Sequence, residues 1–332
     1  MIIKYKSSDT GADVDMSTVV QKVEWSGSRI QVARVLEFSY VQDGRDALIP
    51  VHSLDCGQTI YGYDEDGQLQ FQGNIYSIER NTESSTVSVR CYDNLFILCK
   101  SKTTKKFVNV LAEDIVKGVC AELGVKVGTL PKTDKKLSYI AAEKTGYQII
   151  MMAYTQLSKT TGKKYQMIMN GDSLDVIEKG SLIESFEASQ YVNTNNSTYR
   201  ESIESMVNSV RITDEQGNLV GYQQNTDDIK KYSMIQDVYK TNPKVNTQEA
   251  VKALLKGPER TGVLELLGDY AVKASYSIKI SDSIANLTGQ FWVKSDHHSF
   301  VDGVHTMKVE LEFENLMDEQ TPDKDKDEKG GN

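Results

Sequence analysis

Near the C-terminal end of the chain, one carboxylate and three imidazoles lie close together: Asp296, His297, His298 and His305. Such groups can ligate zinc or iron. Neighbouring residues of a strand point to opposite faces, so at most one of His297 and His298 can share a coordination shell with His305. The sequence offers no evident fourth ligand. We therefore predict no metal site here, and we expect the His305 ring to be packed and hydrogen-bonded.

Two other pairs of residues could in principle do chemistry. His52 and Cys56 could form a cysteine-nucleophile dyad, but they lie in a turn-like stretch, and spacing alone does not bring them together. Asp64 and Asp66 could act as a glycosidase pair, yet the Tyr-Asp-Glu-Asp-Gly run at 63–67 fits a β-turn more simply. The sequence also lacks the nucleophile-elbow, phosphate-loop and zinc-protease motifs. We predict that the chain is not an enzyme, with no catalytic, cofactor-binding or metal-binding residue and no cofactor.

Composition narrows the classes of partner. The 332 residues carry a formal net charge of −9, which disfavours direct nucleic-acid binding because phosphate recognition needs clustered Lys and Arg. The lysine-rich stretch Lys100–Lys106 is interpreted as a solvated linker. The sequence has no signal-peptide pattern and no apolar run of ~18 residues, so we expect synthesis in the cytoplasm and no membrane association. Free thiols are expected at the four cysteines, whose spacing matches no zinc or redox motif: Cys56, Cys91, Cys99 and Cys120.

Apolar periodicity divides the chain into β and helical stretches. Alternation with turn signals over residues 19–98 predicts a β barrel or sandwich. Helical spacing then predicts a helix that Asn109 caps and Gly124 stops, followed by a helix from Thr145 to about Lys159. Within the second helix, the Met151–Met152 pair is expected to fill gaps in a core or an interface.

The second half of the chain repeats this change of pattern. β signals return at Phe186 and continue through a strand at 205–212. Residues 233–256 are interpreted as helical, with Thr247 as a cap and Gly257-Pro258 as a stop. Strand alternation then resumes at Val263.

We therefore predict an α+β, mainly β chain with two β-barrel or sandwich domains and two insertions. The predicted domains are a first β domain at 1–100, an α+β insertion at 101–182, a second β domain at 183–232 and 260–317, a helical insertion at 233–259, and a disordered acidic tail at 318–332.

A hairpin closes the predicted second β domain. The run Gly289–Phe300 and the run His305–Glu314 flank Asp302-Gly303, a strong hairpin signal. The second run alternates strictly, which predicts one buried face and one wet face. The wet face carries a ladder of Glu310, Glu312 and Glu314. We interpret this ladder as a solvated surface; the alternative is the negative wall of a channel in an oligomer.

Four segments of the chain resemble one protein family. These segments are the closing hairpin, the opening Val23–Gly27, the strand pair around Gly67–Ile75 and the run Ser205–Val210. Their order is similar to that of the late-control-D-like baseplate hub of contractile phage tails, in its PBSX-prophage (XkdQ-type) branch. The resemblance implies that the two β domains are tail-tube-like barrels.

The resemblance also implies a structural role and a set of partners. Three chains with two barrels each would form a pseudo-hexameric ring that joins the sixfold tail tube to the threefold central spike. The implied partners are the tail tube protein, the central spike protein, other baseplate proteins and two further copies of the chain. The implied location is the tail baseplate of a virion or of a phage-tail-like particle such as an R-type bacteriocin.

Two further classes of function stay open from the sequence. A tail-associated cell-wall hydrolase would need an acidic pair or a Cys-His site in a cleft. A receptor- or carbohydrate-binding module would favour exposed aromatic side chains in one groove. The two tryptophans, Trp25 and Trp292, lie instead within strand patterns.

Overall fold

The protein is mainly β, as predicted, in a computed structural model that describes residues 1–7, 10–30, 32–43 and 45–322. The chain forms two compact units. The larger unit comprises Met1–Ser197 and the chain from Val263 onward, and the smaller unit is Thr198–Gly262. None of the helices in the described ranges is long and apolar enough to cross a membrane.

The first β region of the larger unit has seven strands: β1 (Ile2–Lys6), β2 (Asp13–Asp15), β3 (Val20–Ser28), β4 (Val35–Val41), β5 (Thr59–Tyr63), β6 (Leu69–Asn81) and β7 (Thr86–Asp93). They pair antiparallel in the order β3-β4-β7-β6-β5-β1-β2. Alternation along β4 buries Leu36, Phe38 and Tyr40 in one core with Trp25 and Phe71. Period-two patterning therefore predicted this region correctly.

An α+β module follows the first β region. Its elements are α1 (Leu95–Lys100), β8 (Lys102–Leu111), α2 (Ala112–Leu123), β9 (Lys126–Val127), β10 (Lys136–Thr145), α3 (Gly146–Thr161), β11 (Tyr165–Asn170) and β12 (Ser173–Glu178). The helices pack with β8 and β10 and with the sheet β11-β12-β9 around a second core. Met151 and Met152 are buried in this core, as expected.

The predicted helices of this module exist, with one wrong boundary. Helix α3 begins at a capping box in which the Thr145 hydroxyl accepts from Gln148 N and the Gln148 side chain bonds back. Helix α2 ends at Gly124, whose φ of +71° suits glycine. Asn109 does not cap α2, since the cap position is Leu111 and Asn109 lies in β8 with φ +60°.

The interpretation of Lys100–Lys106 as a solvated linker is wrong. Most of this stretch belongs to β8, which pairs antiparallel with β10. Exposed and half-buried residues alternate along most of it, and Lys105 forms an ion pair with Glu122 of α2. The sequence did not predict this strand because Lys102–Lys106 contains no apolar residue, and period-two alternation is recognised by apolar contrast.

A second β region contributes six strands to the same sheet: β13 (Leu182–Ser189), β14 (Thr194–Ser202), β18 (Glu259–Leu267), β19 (Ser277–Asp282), β20 (Leu287–Val301) and β21 (Val304–Glu312). Of these strands, β14 and β18 each have residues on both sides of the boundary between the two units. β13 runs parallel to β19, and β20 pairs antiparallel with β19 and β21. The closing hairpin is confirmed, with positive φ at both turn residues, Asp302 and Gly303.

Strand β20 joins the two β regions. Its residues Ser295–Val301 pair antiparallel with β3 on one side, opposite Lys22–Ser28, while the same residues pair with β21 on the other side. The two regions therefore form one continuous 13-stranded sheet. The sequence-based division into separate β domains did not anticipate this pairing, which links residues far apart in the chain.

The smaller unit differs from the prediction for its residues. It holds β15 (Ser209–Thr213), β16 (Leu219–Gln224), α4 (Thr226–Tyr232), β17 (Gln236–Lys240) and α5 (Thr247–Leu254), with sheet order β16-β15-β17. Ser205–Val210 and the rest of 198–232 lie in this unit.

The predicted helix over 233–256 is also largely wrong. Its first half contains β17, which runs parallel to β15 because Val238 and Tyr239 suit a strand. The helix begins only after Asn242-Pro243, a pair that disfavours a helix. Its cap is Asn246, whose side chain accepts from Gln248 N and Glu249 N, so Thr247 is its first helical residue.

The acidic ladder of β21 is not a uniform solvated face. Glu312 is buried, and its two carboxylate oxygens contact Arg29 Nε and, at 2.9 Å, Lys179 Nζ. The Lys179 side chain is fully buried, and its ammonium also donates to Leu316 O. Burial of a charge is tolerated only with such pairing. Glu310, in contrast, forms a half-exposed pair with Lys294.

The predicted disordered tail begins too early. Met317 is buried in the core of the α+β module. Asp318 accepts a 2.9 Å hydrogen bond from Tyr147 OH, and Gln320 N donates to Thr155 Oγ1 at 3.0 Å. These contacts hold the chain after β21 against α3. The remainder of the predicted tail, 323–332, lies outside the described residues.

Replacement of Glu312 by Gln should destabilise the protein by about 3–5 kcal/mol, because it leaves a buried lysine without its counter-charge. The control is Glu310→Gln on the same strand, where the exposed pair should contribute less than about 1 kcal/mol. Urea unfolding at pH 7 measures both. Equal effects of the two substitutions would show that the buried cluster is not a special determinant of stability.

Candidate functional site

A buried ion pair lies where β20 meets β3. Asp296 is fully buried on β20 and binds the Arg34 guanidinium through both oxygens, with Nη1 3.0 Å from Oδ1 and Nη2 in contact with Oδ2. Ala274 N donates to Oδ1 at 2.6 Å. Burial alone would raise the pKa of Asp296, but Arg34 and His298 hold it well below its usual range. The carboxylate therefore stays charged and fully bonded.

Arg34 reaches this carboxylate across the face of the sheet. Its guanidinium carbon lies 4.0 Å from the centroid of the Trp25 ring, within cation–π range. A Cβ on Gly27, which pairs with Asp296, would lie 2.5 Å from Arg34 Nη1. Glycine at this strand position is thus required for the close approach of the arginine.

Two histidines continue the polar cluster. His298 is buried, with Nε2 3.0 Å from Val272 O and Nδ1 3.0 Å from His305 Nε2. Since a carbonyl oxygen only accepts, His298 Nε2 carries a proton and donates it in a hydrogen bond to Val272 O. Phe300 stacks on His305 at 4.1 Å. Burial and the adjacent His298 lower the pKa of His305 to about 3. The predicted packed, hydrogen-bonded His305 is confirmed.

The other sequence candidates lie apart from this cluster. His297 points to the opposite face, with Nε2 3.4 Å from a Glu24 carboxylate oxygen. His52 is buried and bonds to Tyr5 OH at 3.3 Å, whereas Cys56 is exposed. Across the described ranges, no group of three or more His, Cys, Asp or Glu could hold a metal ion. The absence of a metal site stays a prediction.

The turn interpretation of Asp64 is confirmed. One of its carboxylate oxygens accepts from Asp66 N at 3.1 Å and from Gln68 N at 2.7 Å, and the other accepts from Gln70 Nε2 at 2.8 Å. These bonds close a turn of the type that aspartate favours. Trp25 is fully buried, which removes it as an exposed platform for a sugar ring.

The sequence did not reveal Arg34 or Lys273 as members of the site. Lys273 precedes Ala274 in the loop before β19, and its ammonium lies 5.0 Å from the Trp25 ring centroid. Neither residue belongs to a motif. The one available signal was Asp296, an aspartate on the apolar parity of a strand, which indicates a buried partner of opposite charge.

Comparison with known proteins gives a consistent class of relatives. A family model described as YQBQ-like matches residues 23–312. The chain is 23% identical over 316 residues to the phage-like element PBSX protein XkdQ of Bacillus subtilis (strain 168), covering 92% of this chain and 95% of that one.

Solved structures share the fold at low sequence identity. A 43 kDa tail protein of prophage MuSo2 from Shewanella oneidensis superposes with a TM-score of 0.69 and 13% identity, covering 94% of this chain and 98% of that one. An Escherichia coli component of the type VI secretion system gives a TM-score of 0.55 and 8% identity, with 91% and 76% coverage. That protein is itself structurally similar to the bacteriophage T4 tail proteins gp27 and gp5. The fold is thus one found in tail proteins.

Stability should fall as pH drops from about 6.5 towards 3, because unfolded His305 takes up a proton that the folded protein excludes. The variant His305→Phe, which keeps an aromatic ring against Phe300, should flatten this dependence. The slope of the unfolding free energy that His305 contributes should not exceed ~1.4 kcal/mol per pH unit, the limit for the uptake of one proton.

Urea unfolding between pH 7 and 4.5 measures this slope, and the exposed His297→Gln provides the matched control. If the unfolding free energy of His305→Phe depends on pH as steeply as that of the wild-type protein, His305 is not the source of this dependence.

Proposed function

Because the chain belongs to the YQBQ-like family, we propose that it is the structural baseplate hub of a contractile tail or tail-like particle. In this role three copies form a ring that contains six β regions, two from each chain. The ring joins the sixfold tail tube to the threefold central spike. Its partners are the tube protein, the spike protein and other baseplate proteins. It acts as a virion or particle component made in the host cytoplasm, and not as an enzyme.

The observation that carries the proposal is the fusion of two β regions in one sheet through β20. Joining a hexamer to a trimer requires one chain to present two comparable surfaces, so that three chains provide six. A shared strand fixes the distance and angle between the two β regions, whereas a flexible linker would leave them free. The likeness to XkdQ over nearly the whole chain is consistent with this use.

Edge strands offer a means of assembly. The sheet order ends at β2 on one side, and β13 pairs only with β19 within the described part of the chain. An unpaired strand edge can bind the edge of a neighbour through main-chain hydrogen bonds. The short β2 carries Asp13 and Asp15, and such charges protect an edge from indiscriminate pairing until the correct neighbour is present.

The proposal predicts three copies of this chain on each spike. Co-expression with the spike protein of the same genetic element, followed by native mass spectrometry, should give a complex that contains three times the 37.2 kDa chain mass. The chain alone, measured at the same concentration, is the control for self-association. One or six copies per spike trimer, or no complex at all, would contradict the hub role.

A further inference from the structure

A cleft of about 310 Å³ opens beside the buried ion pair of the larger unit. On one side it is lined by the floor formed by β3 and the loop before β19, and on the other by the hairpin β11–β12. Its lining combines apolar side chains with hydrogen-bond donors, the usual make-up of a small-ligand site. The residues that matter to the argument are Trp25, Arg34, Met167, Met169, Lys273 and Ser275.

Within the described part of the chain, the ammonium of Lys273 lacks a carboxylate in direct contact, although Asp296 and Asp64 act on its pKa from a longer distance. No carboxylate of the described chain forms an ion pair with it. The ammonium lies 3.3 Å from Gln70 Oε1 and over the Trp25 ring. Arg34 approaches the same ring, but its charge is already matched by Asp296. Burial and Arg34 lower the pKa of Lys273 to about 8, so the amine remains mostly protonated at neutral pH.

The acid that lines the cleft, Asp175, bonds to partners other than Lys273. Asp175 accepts from Thr129 N through Oδ1 and from Asn170 Nδ2 through Oδ2. Both oxygens of this carboxylate are therefore hydrogen-bonded to groups of the hairpin and of the segment before it. Among the described residues, Lys273 is therefore a lining cation whose ammonium has no carboxylate in direct contact.

Two further features of the cleft lining are unusual: a strained backbone conformation and two hydrogen-bond donors without partners. Ser275 is fully buried and adopts φ +87°, a conformation that is costly for any residue other than glycine. Its hydroxyl and the Trp25 indole N–H have no hydrogen-bond partner among the residues that the structure describes. Such uncompensated buried groups are rare and cluster at functional sites.

We propose that this cleft binds a carboxylate attached to a short apolar chain. The carboxylate pairs with the Lys273 ammonium, and the apolar chain lies against Met167 and Met169, whose thioethers adapt to varied shapes. The same chemistry is presented by a free small carboxylate and by a glutamate side chain of a neighbouring protein. The proposal does not depend on the hub role, because it concerns only this cleft.

The test is a titration followed by NMR of protein labelled on its methionine methyl groups. The probes are hexanoate, as a free carboxylate, and acetyl-Ala-Glu-Ala-amide, as a peptide glutamate; hexanol is the neutral control. We expect saturable shifts of the Met167 and Met169 signals with at least one of the two carboxylate probes and not with hexanol. The probe that binds more tightly identifies the source of the carboxylate.

Two variants sharpen this test. Lys273→Gln should weaken binding at least tenfold, whereas Lys279→Gln on β19, which removes an exposed lysine paired with Glu184, should leave it unchanged. If Lys273→Gln does not fold, the comparison of hexanoate with hexanol on the wild-type protein is sufficient to show whether binding requires the carboxylate. The proposal is overturned by absent shifts with both carboxylates, by equal binding to the Lys273→Gln variant, or by equal shifts with hexanol.

Discussion

The pairing of Asp296 with Arg34 is the interaction on which the rest of the larger unit depends. The carboxylate lies at the middle of β20, where that strand bonds to β3 on one side and to β21 on the other. A charge at such a place is tolerated only because the guanidinium, Ala274 N and His298 surround it. Loss of any of these partners would leave an unpaired charge inside the sheet.

This arrangement makes the joint between the two β regions rigid and specific. The buried face of β20 already favours one register, because a slip of one residue would turn its buried side chains to the other face. Arg34 bonds to one carboxylate and lies over one glycine, so only one register satisfies it. A second ion cluster, Glu312 with Arg29 and Lys179, similarly holds the end of β21 to the chain that enters β13. The proposed hub needs such a fixed relation between its two β regions.

Local signals in the sequence predicted the local structure well. The Asp302-Gly303 hairpin, the helix start at Thr145 and the stop at Gly124 are decided by a few neighbouring residues, and all are present. The XkdQ-type resemblance is confirmed by the family match and by the similarity to XkdQ. The late-control-D hub type and the trimer stay predictions.

The wrong predictions involve interactions between distant residues or weak contrast. Arg34 and Asp296 are 262 positions apart, and no periodicity reveals such a partner. Glu312 shares the polar parity of its strand, yet two cations from other segments bury it. β8 and β17 were misread because polar strands and short strands give weak patterns, and tertiary pairing decides them.

Hydrogen exchange measured by mass spectrometry on Asp296→Asn tests the shared-strand joint most directly. The matched control is Asp302→Asn, at the exposed turn of the same hairpin. If β20 couples the two β regions through its buried ion pair, Asp296→Asn should speed amide exchange in β3 and β4 and in β19 and β21 together, while Asp302→Asn leaves all four strands protected. Faster exchange confined to one region, or no change in either, would contradict the account.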